Sequence, residues 1–489
     1  MTADPARRPD AGPATPAKPA QPRSGPPDPS GPDPSGPDAS GPDPSRPDPS
    51  RPDPSPPGTA AVRPAPAGLP ARVVLRVPAF WVVMALLTAG AVRMVGIGER
   101  YLSTYPLATL TATALFALYA VPFWLLLGEL DFLEREPPAL LAIAFSWGAL
   151  VATAVAIPAG TALQNLTAKL GSPRLAAGWG AAVAAPTVEE IAKTLGVVAI
   201  VLIARAQVNS VLDGVVYGAL VGLGFQIVEN IVYAMSAVTL AGDGDRVGPV
   251  IATFLLRGFL AGLWSHTLFG ALAGAGIGYL VVHTARSLRH RLGVAVLAVI
   301  GAWASHVLWN SPLLRDGLGN GALAVLAVLV FKGLPPLLMI ILLIRAAHDR
   351  EADYYVGKLA ALGDRDLITA EELRALSAGS RRAGARWHAQ ACVGRRGRFA
   401  VRRLQRAQAR LAVELSRSAG GDAGQAAAAL SRWCQEVRER RAELRALGHP
   451  EAIAPTDGPG PWRRTASNVG TAVLVVAVLW AAISALGGG

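Results

Sequence analysis

The sequence predicts an all-α fold: a polytopic bundle of membrane-spanning helices with a helical block outside the bilayer. Three observations lead there. The 489 residues are 52% hydrophobic and only 16% charged, with a mean hydropathy of +0.36, whereas soluble domains carry about 25% charged residues. Apolar runs long enough to cross a bilayer, which takes ~20 residues each, recur along the chain. Arginines gather beside alternate run ends. The formal charge of +12 is therefore read as topology and contact with anionic lipid, with no nucleic-acid partner expected.

Residues 1–70 are rich in Pro, Asp, Ser and Gly, and a five-residue unit of the type GPDPS repeats from Gly31 to Ser55. Proline at this density forbids helix and sheet ladders, and nothing apolar is there to bury, so an extended, disordered tail is expected. No apolar run follows the first arginines before Val73, which argues against a signal peptide. Core spans are expected near 78–97, 106–128, 139–160, 177–204, 212–240, 250–284, 292–312 and 321–345. The sixth is too long for one simple span, and its first part, Thr253 to Gly262 with Arg257, reads as tilted, broken or re-entrant. A basic helical block follows over 346–465, where Thr369-Ala-Glu-Glu372 reads as a capping box. A C-terminal transmembrane helix is expected at 466–486.

Loop charges orient the spans. Arg72 and Arg76, Arg205, the group Arg286, Arg289 and Arg291, the pair Arg345 and Arg350, and Arg463 with Arg464 all fall on one side if the N-terminus is cytosolic. The expectation is a plasma-membrane protein with a cytosolic N-terminus and an extracytoplasmic C-terminus. Cys392 and Cys434 both lie in the basic block without C-x-x-C spacing, so neither a disulfide framework nor a cysteine metal motif is expected.

The core spans carry groups that hydrocarbon penalises. An ionisable side chain at mid-span costs at least ~2.5–3.5 kcal/mol, and such groups normally face a protein interior. Glu189, Glu190 and Lys193 share one span, Glu229 and Asn230 the next, His266 the sixth, and His306 with Asn310 the seventh. The four-residue spacing predicts a Glu189–Lys193 pair, with Glu190 turned ~100° away and lacking a local partner. Gly214, Gly218, Gly222 and Gly224 on the fifth span, and Gly270, Gly274 and Gly278 on the sixth, predict close helix approach that brings these groups together. A lone buried histidine is more often a hydrogen-bonded core residue than a ligand; two histidines with three glutamates on packed spans reverse that expectation. His283, His290, His348, His388 and His449 sit at span ends or in the basic block and are read as non-catalytic.

Two chemistries fit this set. A metal-hydrolase site needs about three N/O ligands and a carboxylate base, which His266, His306 and one or two glutamates, Glu229 among them, would supply. Alternatively a glutamate activates water directly while histidine and Asn310 stabilise the oxyanion. H-E-x-x-H, Gly-x-Ser-x-Gly and paired intramembrane aspartates are all missing from the spans, which argues against zincin, serine and aspartyl proteases.

The ordered set Glu189-Glu190-x-x-Lys193, Phe225-x-x-x-Glu229-Asn230, His266 with Gly274 eight residues on, and His306-x-x-x-Asn310 resembles the PrsW family of intramembrane proteases. That family is distantly similar to the CAAX prenyl endopeptidase and Abi group. Glu134-Arg-Glu-Pro137 resembles an acidic-Pro element of the family, and the likeness covers roughly Phe80 to Arg345. Gln226 departs from it, standing where a small residue is usual. The resemblance implies cleavage of membrane-anchored proteins, with anti-sigma factors as the known substrate type. Glu189, Glu190, Glu229, His266, His306 and Asn310 would be catalytic, and Lys193, Asn230 and Gly274 supporting. It implies zinc as the cofactor to test, since the family is catalogued with metallopeptidases, although its relatives point to glutamate-dependent chemistry. The rivals are a proton-coupled transporter, against which the lack of an internal repeat counts, and an inactive scaffold, which leaves the intramembrane acids unexplained.

Overall fold

In the computed structural model, the described residues are 75–130, 135–260, 265–313, 327–418 and 423–454. The expected tail at 1–70 and the expected span at 466–486 lie outside them. Among the described residues every regular element is helical. In chain order they are α1 (Pro78–Thr104), α2 (Pro106–Leu130), α3 (Pro138–Leu170), α4 (Ala181–Ala204), α5 (Val211–Ala241), α6 (Gly248–Thr253), α7 (Ser265–Val282), α8 (Leu288–Asn310), α9 (Val330–Ala360), α10 (Ala370–Leu376), α11 (Gly379–Ser418) and α12 (Ala423–Ala446). Six of these, α1, α2, α3, α5, α8 and α9, are long and apolar enough to cross a membrane. Over their described residues the predicted core segments are largely helical, and within the sixth α6 passes into a π-helical turn, Phe254–Leu260, with α7 described from Ser265.

The bundle is organised around α5. This helix is apolar on all faces and buried along almost its whole length from Leu212 to Ile227, as expected of a central helix. Its N-terminus is closed by a capping box in which Ser210 and Asp213 satisfy each other's backbone N–H groups. Backbone touches backbone along α7: a Cβ on Gly218 would lie 2.1 Å from the Gly270 oxygen, and one on Gly222 2.1 Å from the oxygen of His266. Small residues at four-residue steps permit this approach, and it sets His266 directly against α5. On the opposite side α3 comes equally close, at Gly224 and Phe145.

Within α3 a π-helical stretch, Trp147–Ala152, turns the Trp147 indole toward α4. Its Nε1–H donates to the Ala192 carbonyl at 3.0 Å, and its ring covers Gly196. That contact fixes the turn of α4 bearing the acids. The helix ends are tied in alternate sets. Asp245, in the α5–α6 loop, accepts from the Leu107 and Ala108 N–H groups at 2.7 and 2.8 Å, closing the N-terminus of α2. Arg205 after α4 donates to the Val281 carbonyl of α7 at 2.7 Å.

The basic block has its own apolar core, formed by residues such as Tyr355, Leu359, Leu404, Leu411, Val437 and Leu444. Glu372 lies at its centre. It completes the expected capping box with Thr369 and also accepts from Arg441, Gln408 and the Ala452 N–H. Burial pushes Arg382 down to about 10. The block meets the bundle where Arg386 and Arg402 pair with Glu129 of α2, at 3.1 and 2.6 Å. A cleft of about 730 Å³ at this junction is lined by Arg386, Arg395, Arg398 and Arg402 together with Trp387 and Phe399.

Candidate active site

Four helices and one irregular turn deliver polar side chains to a single point. Helix α4 supplies Glu189, Glu190 and Lys193, all 6% exposed or less. The pairing differs from the sequence expectation. Lys193 Nζ bonds Glu190 Oε1 at 2.6 Å, an i,i+3 pair, and not Glu189. Residues three and four apart share a helix face equally well; here the lysine also lies beside His266 Nδ1, at 3.1 Å, and 5.0 Å over the Phe225 ring. Glu190, expected to lack a local partner, is thus the better-held acid of the two.

Helix α8 brings His306. Its Nδ1 lies 2.7 Å from Glu190 Oε1 and its Nε2 3.2 Å from the Asn310 amide nitrogen. Phe269 stacks on the imidazole, with centroids 5.0 Å apart. Helix α7 brings His266, whose Nε2 lies 2.9 Å from Glu229 Oε2. The two imidazoles stand edge to face at 5.0 Å. Glu189 Oε2 lies 3.8 Å from His266 Nδ1 and 3.8 Å from His306 Nε2, too far for hydrogen bonds. Glu189 Oε2 and Glu190 Oε2 are buried without a hydrogen-bond partner. Each imidazole therefore has a carboxylate on one nitrogen and faces Glu189 with the other.

The residue that the sequence reading did not assign to the site is Arg257. From the π-helical turn it donates through Nη2 to Glu229 Oε2 at 2.6 Å and through Nε to Asn230 Oδ1 at 2.8 Å, while its guanidinium covers Tyr233 at 3.7 Å. The signal was available, since an arginine inside an apolar run carries the same penalty as the glutamates. Gln226 accepts from Thr267 Oγ1 at 3.1 Å and donates to Tyr119 at 3.3 Å, so the departure from a small residue is absorbed by a polar tie between α2, α5 and α7. Gly274 packs on Gly214, in the contact between α5 and α7. Asn310 is exposed at the end of α8. His283 and His290 lie near Tyr279, His348 near Arg382, and His388 and His449 in the basic block.

Three carboxylates against Lys193 and Arg257 leave an excess of one negative charge in an apolar interior if both imidazoles are neutral, and a buried charge calls for a counter-charge. The donor atoms of Glu189, His266 and His306 lie within 4.8 Å of one another. With the two orphaned carboxylate oxygens, this set fits a divalent metal of the zinc type. The sequence reading had put Glu229 with the two histidines as ligand. The structure groups Glu189 rather than Glu229 with the two histidines, since Glu229 is turned to Arg257 and the far nitrogen of His266.

No curated protein and no solved structure matches the chain. A family model does. Every residue of the cluster falls within residues 136–334, the stretch that matches the PrsW family intramembrane metalloprotease, the family to which the four ordered motifs point.

Proposed function

We propose that this chain is an intramembrane endopeptidase hydrolysing peptide bonds of membrane-anchored proteins, of the regulated, anti-sigma-factor-like kind. The observation that carries this is Glu189 facing two imidazoles, each held from behind by another carboxylate. Glu190 accepts the Nδ1 proton of His306 and so turns Nε2 toward Glu189; Glu229 does the same for His266 through Nε2. Carboxylates behind ligating imidazoles fix the tautomer and raise ligand basicity. Arg257 and Asn230 hold Glu229 in turn, and Lys193 offsets the charge of Glu190.

Glu189, His266 and His306 would hold a zinc-type ion, which would supply Lewis-acid polarisation of the scissile carbonyl. A second reading rests on Lys193, whose ammonium lies 3.1 Å from the His266 lone pair that such an ion needs. In that reading Glu189 takes a proton from water as the water oxygen adds to the carbonyl carbon. It returns the proton to the amine as the C–N bond breaks, and His306, which in this reading carries a proton on Nε2 as well as on Nδ1, stabilises the oxyanion with Asn310. Metal content by mass spectrometry separates the two. Zinc content that falls by one equivalent per chain in His266→Ala supports the first reading, and full activity of a verified metal-free enzyme supports the second.

The orientation proposed is a cytosolic N-terminus and a cytosolic 346–465 block in the plasma membrane, with the extracytoplasmic side nearest His306 and Asn310. A substrate bond at or near the outer leaflet suits that placement. The arginine-lined cleft beside α2 would meet anionic lipid headgroups on the opposite side. The transporter and scaffold readings gain no support from a cluster whose imidazoles are each immobilised by a carboxylate.

A further inference from the structure

Outside the bundle, a second group of donors converges in the basic block. His388 and Cys392 are four residues apart on α11 and share a face, with His388 Nε2 3.6 Å from Cys392 Sγ. His449 approaches from α12, its ring centroid 5.6 Å from that of His388. One donor atom from each of the three lies within 4.8 Å of the others. Donors held by zinc at ~2.0–2.3 Å lie roughly 3.3–3.8 Å from one another, so small side-chain rotations close the set.

The position of His449 is built. Gly448 ends α12 in the left-handed region, at φ 75°, where glycine is favoured. The His449 N–H donates to the Leu444 carbonyl at 3.2 Å, and three residues on the Ala452 N–H is bound by Glu372 at 3.0 Å. The side chain is only 7% exposed, and its Nε2 is buried without a hydrogen-bond partner. A buried imidazole nitrogen without a partner is unusual, and the ring that carries it lies beside a free thiol and a second imidazole.

We propose that His388, Cys392 and His449 form a transition-metal site of the zinc class, distinct from the buried acid–histidine cluster. Two imidazoles and one thiolate select a borderline-soft ion such as zinc over magnesium or calcium. Three protein ligands leave a fourth position for water or an exchangeable ligand, and Cys392 faces solvent. The ion would join the C-terminal end of α12 to α11 just before the break at Val393 and Gly394, so occupancy would fix the first half of α11 against α12.

The thiolate makes this site separable from the intramembrane one, which has no cysteine. Full-length reduced protein in detergent is titrated with Co²⁺ and read by absorption. The expected result is a saturable thiolate-to-cobalt charge-transfer band with the amplitude of a single thiolate ligand per chain, absent in Cys392→Ala and retained in Cys434→Ala. His449→Ala should weaken the titration at least about tenfold, since even outer-shell changes cost ~10–100-fold. Wild-type protein without the band at saturating Co²⁺ would overturn the proposal, as would a band that survives Cys392→Ala or vanishes in Cys434→Ala.

Discussion

Glu189 and Glu190 are adjacent in the chain, yet their surroundings assign them different work. Glu190 is bonded to Lys193 and His306, whereas Glu189 touches neither within hydrogen-bond distance and faces both imidazoles. Glu189→Gln keeps the shape but removes the base or ligand, so cleavage should fall at least ~10²-fold with protein abundance unchanged. Glu190→Gln removes the charge that sets His306 and should cost ~10–100-fold; cleavage rates at matched abundance test both. Arg257 gives a sharper case, because it holds Glu229 and Asn230 at once. Arg257→Ala should reduce cleavage ~10–100-fold. Arg257→Lys should restore little, since one ammonium cannot replace a fork that binds two partners; wild-type activity in Arg257→Ala would remove this residue from the site. The acids and histidines were legible in the sequence because hydrocarbon makes them expensive. The partner of Lys193 was not, because spacings of three and four are equivalent on a helix and only the neighbouring imidazoles decide between them.

At the scale of elements, the site depends on how closely α5 and α7 approach. Gly218→Ala would place a methyl 2.1 Å from the Gly270 oxygen, and the obstacle is backbone, which cannot rotate away. Overpacking costs ~1–3 kcal/mol and occasionally more, and this contact belongs at the upper end. The expected outcome is a clear drop in melting temperature in detergent with loss of cleavage, while Gly98→Ala on α1, where nothing lies within 4 Å, should melt like wild type. Equal melting temperatures for the two variants would show that the glycine contact is not what sets the helices. The glycine spacing was readable from sequence. The π-helical stretch at Trp147–Ala152 was not, since an extra residue in a turn leaves no compositional mark, and that at Phe254–Leu260 was legible only as an irregular start to an over-long apolar run. The first aims Trp147 at α4 and the second aims Arg257 at Glu229, so irregular turns help to position the cluster.

For the whole molecule, topology and chemistry are linked by which helix ends share a face. Asp245 joins the α5–α6 loop to the start of α2, whereas the far end of α2 meets the basic block through Glu129. Reporter fusions at Gly244 and Gly379 should therefore report opposite sides of the membrane, the first extracytoplasmic and the second cytosolic; the same side for both would refute the proposed orientation. Cysteine labelling extends the test, since Asn310→Cys should react from outside, and labelling solely from the cytosol would refute an outward-facing site. The all-helical bundle followed from composition and span length alone, and the convergence of four motifs followed from their order on consecutive spans. The donor set of the basic block did not, because His449 is separated by 57 residues from Cys392 and only the turn at Gly448 brings it round. The central claim is that the buried acid–histidine cluster hydrolyses peptide bonds within the membrane. Its most direct test is cleavage of co-expressed single-pass reporter proteins, quantified by immunoblot, by wild type and by Glu189→Gln and His266→Ala at matched membrane abundance. The account predicts a shortened reporter with wild type and none with either variant; equal cleavage by all three proteins would contradict it.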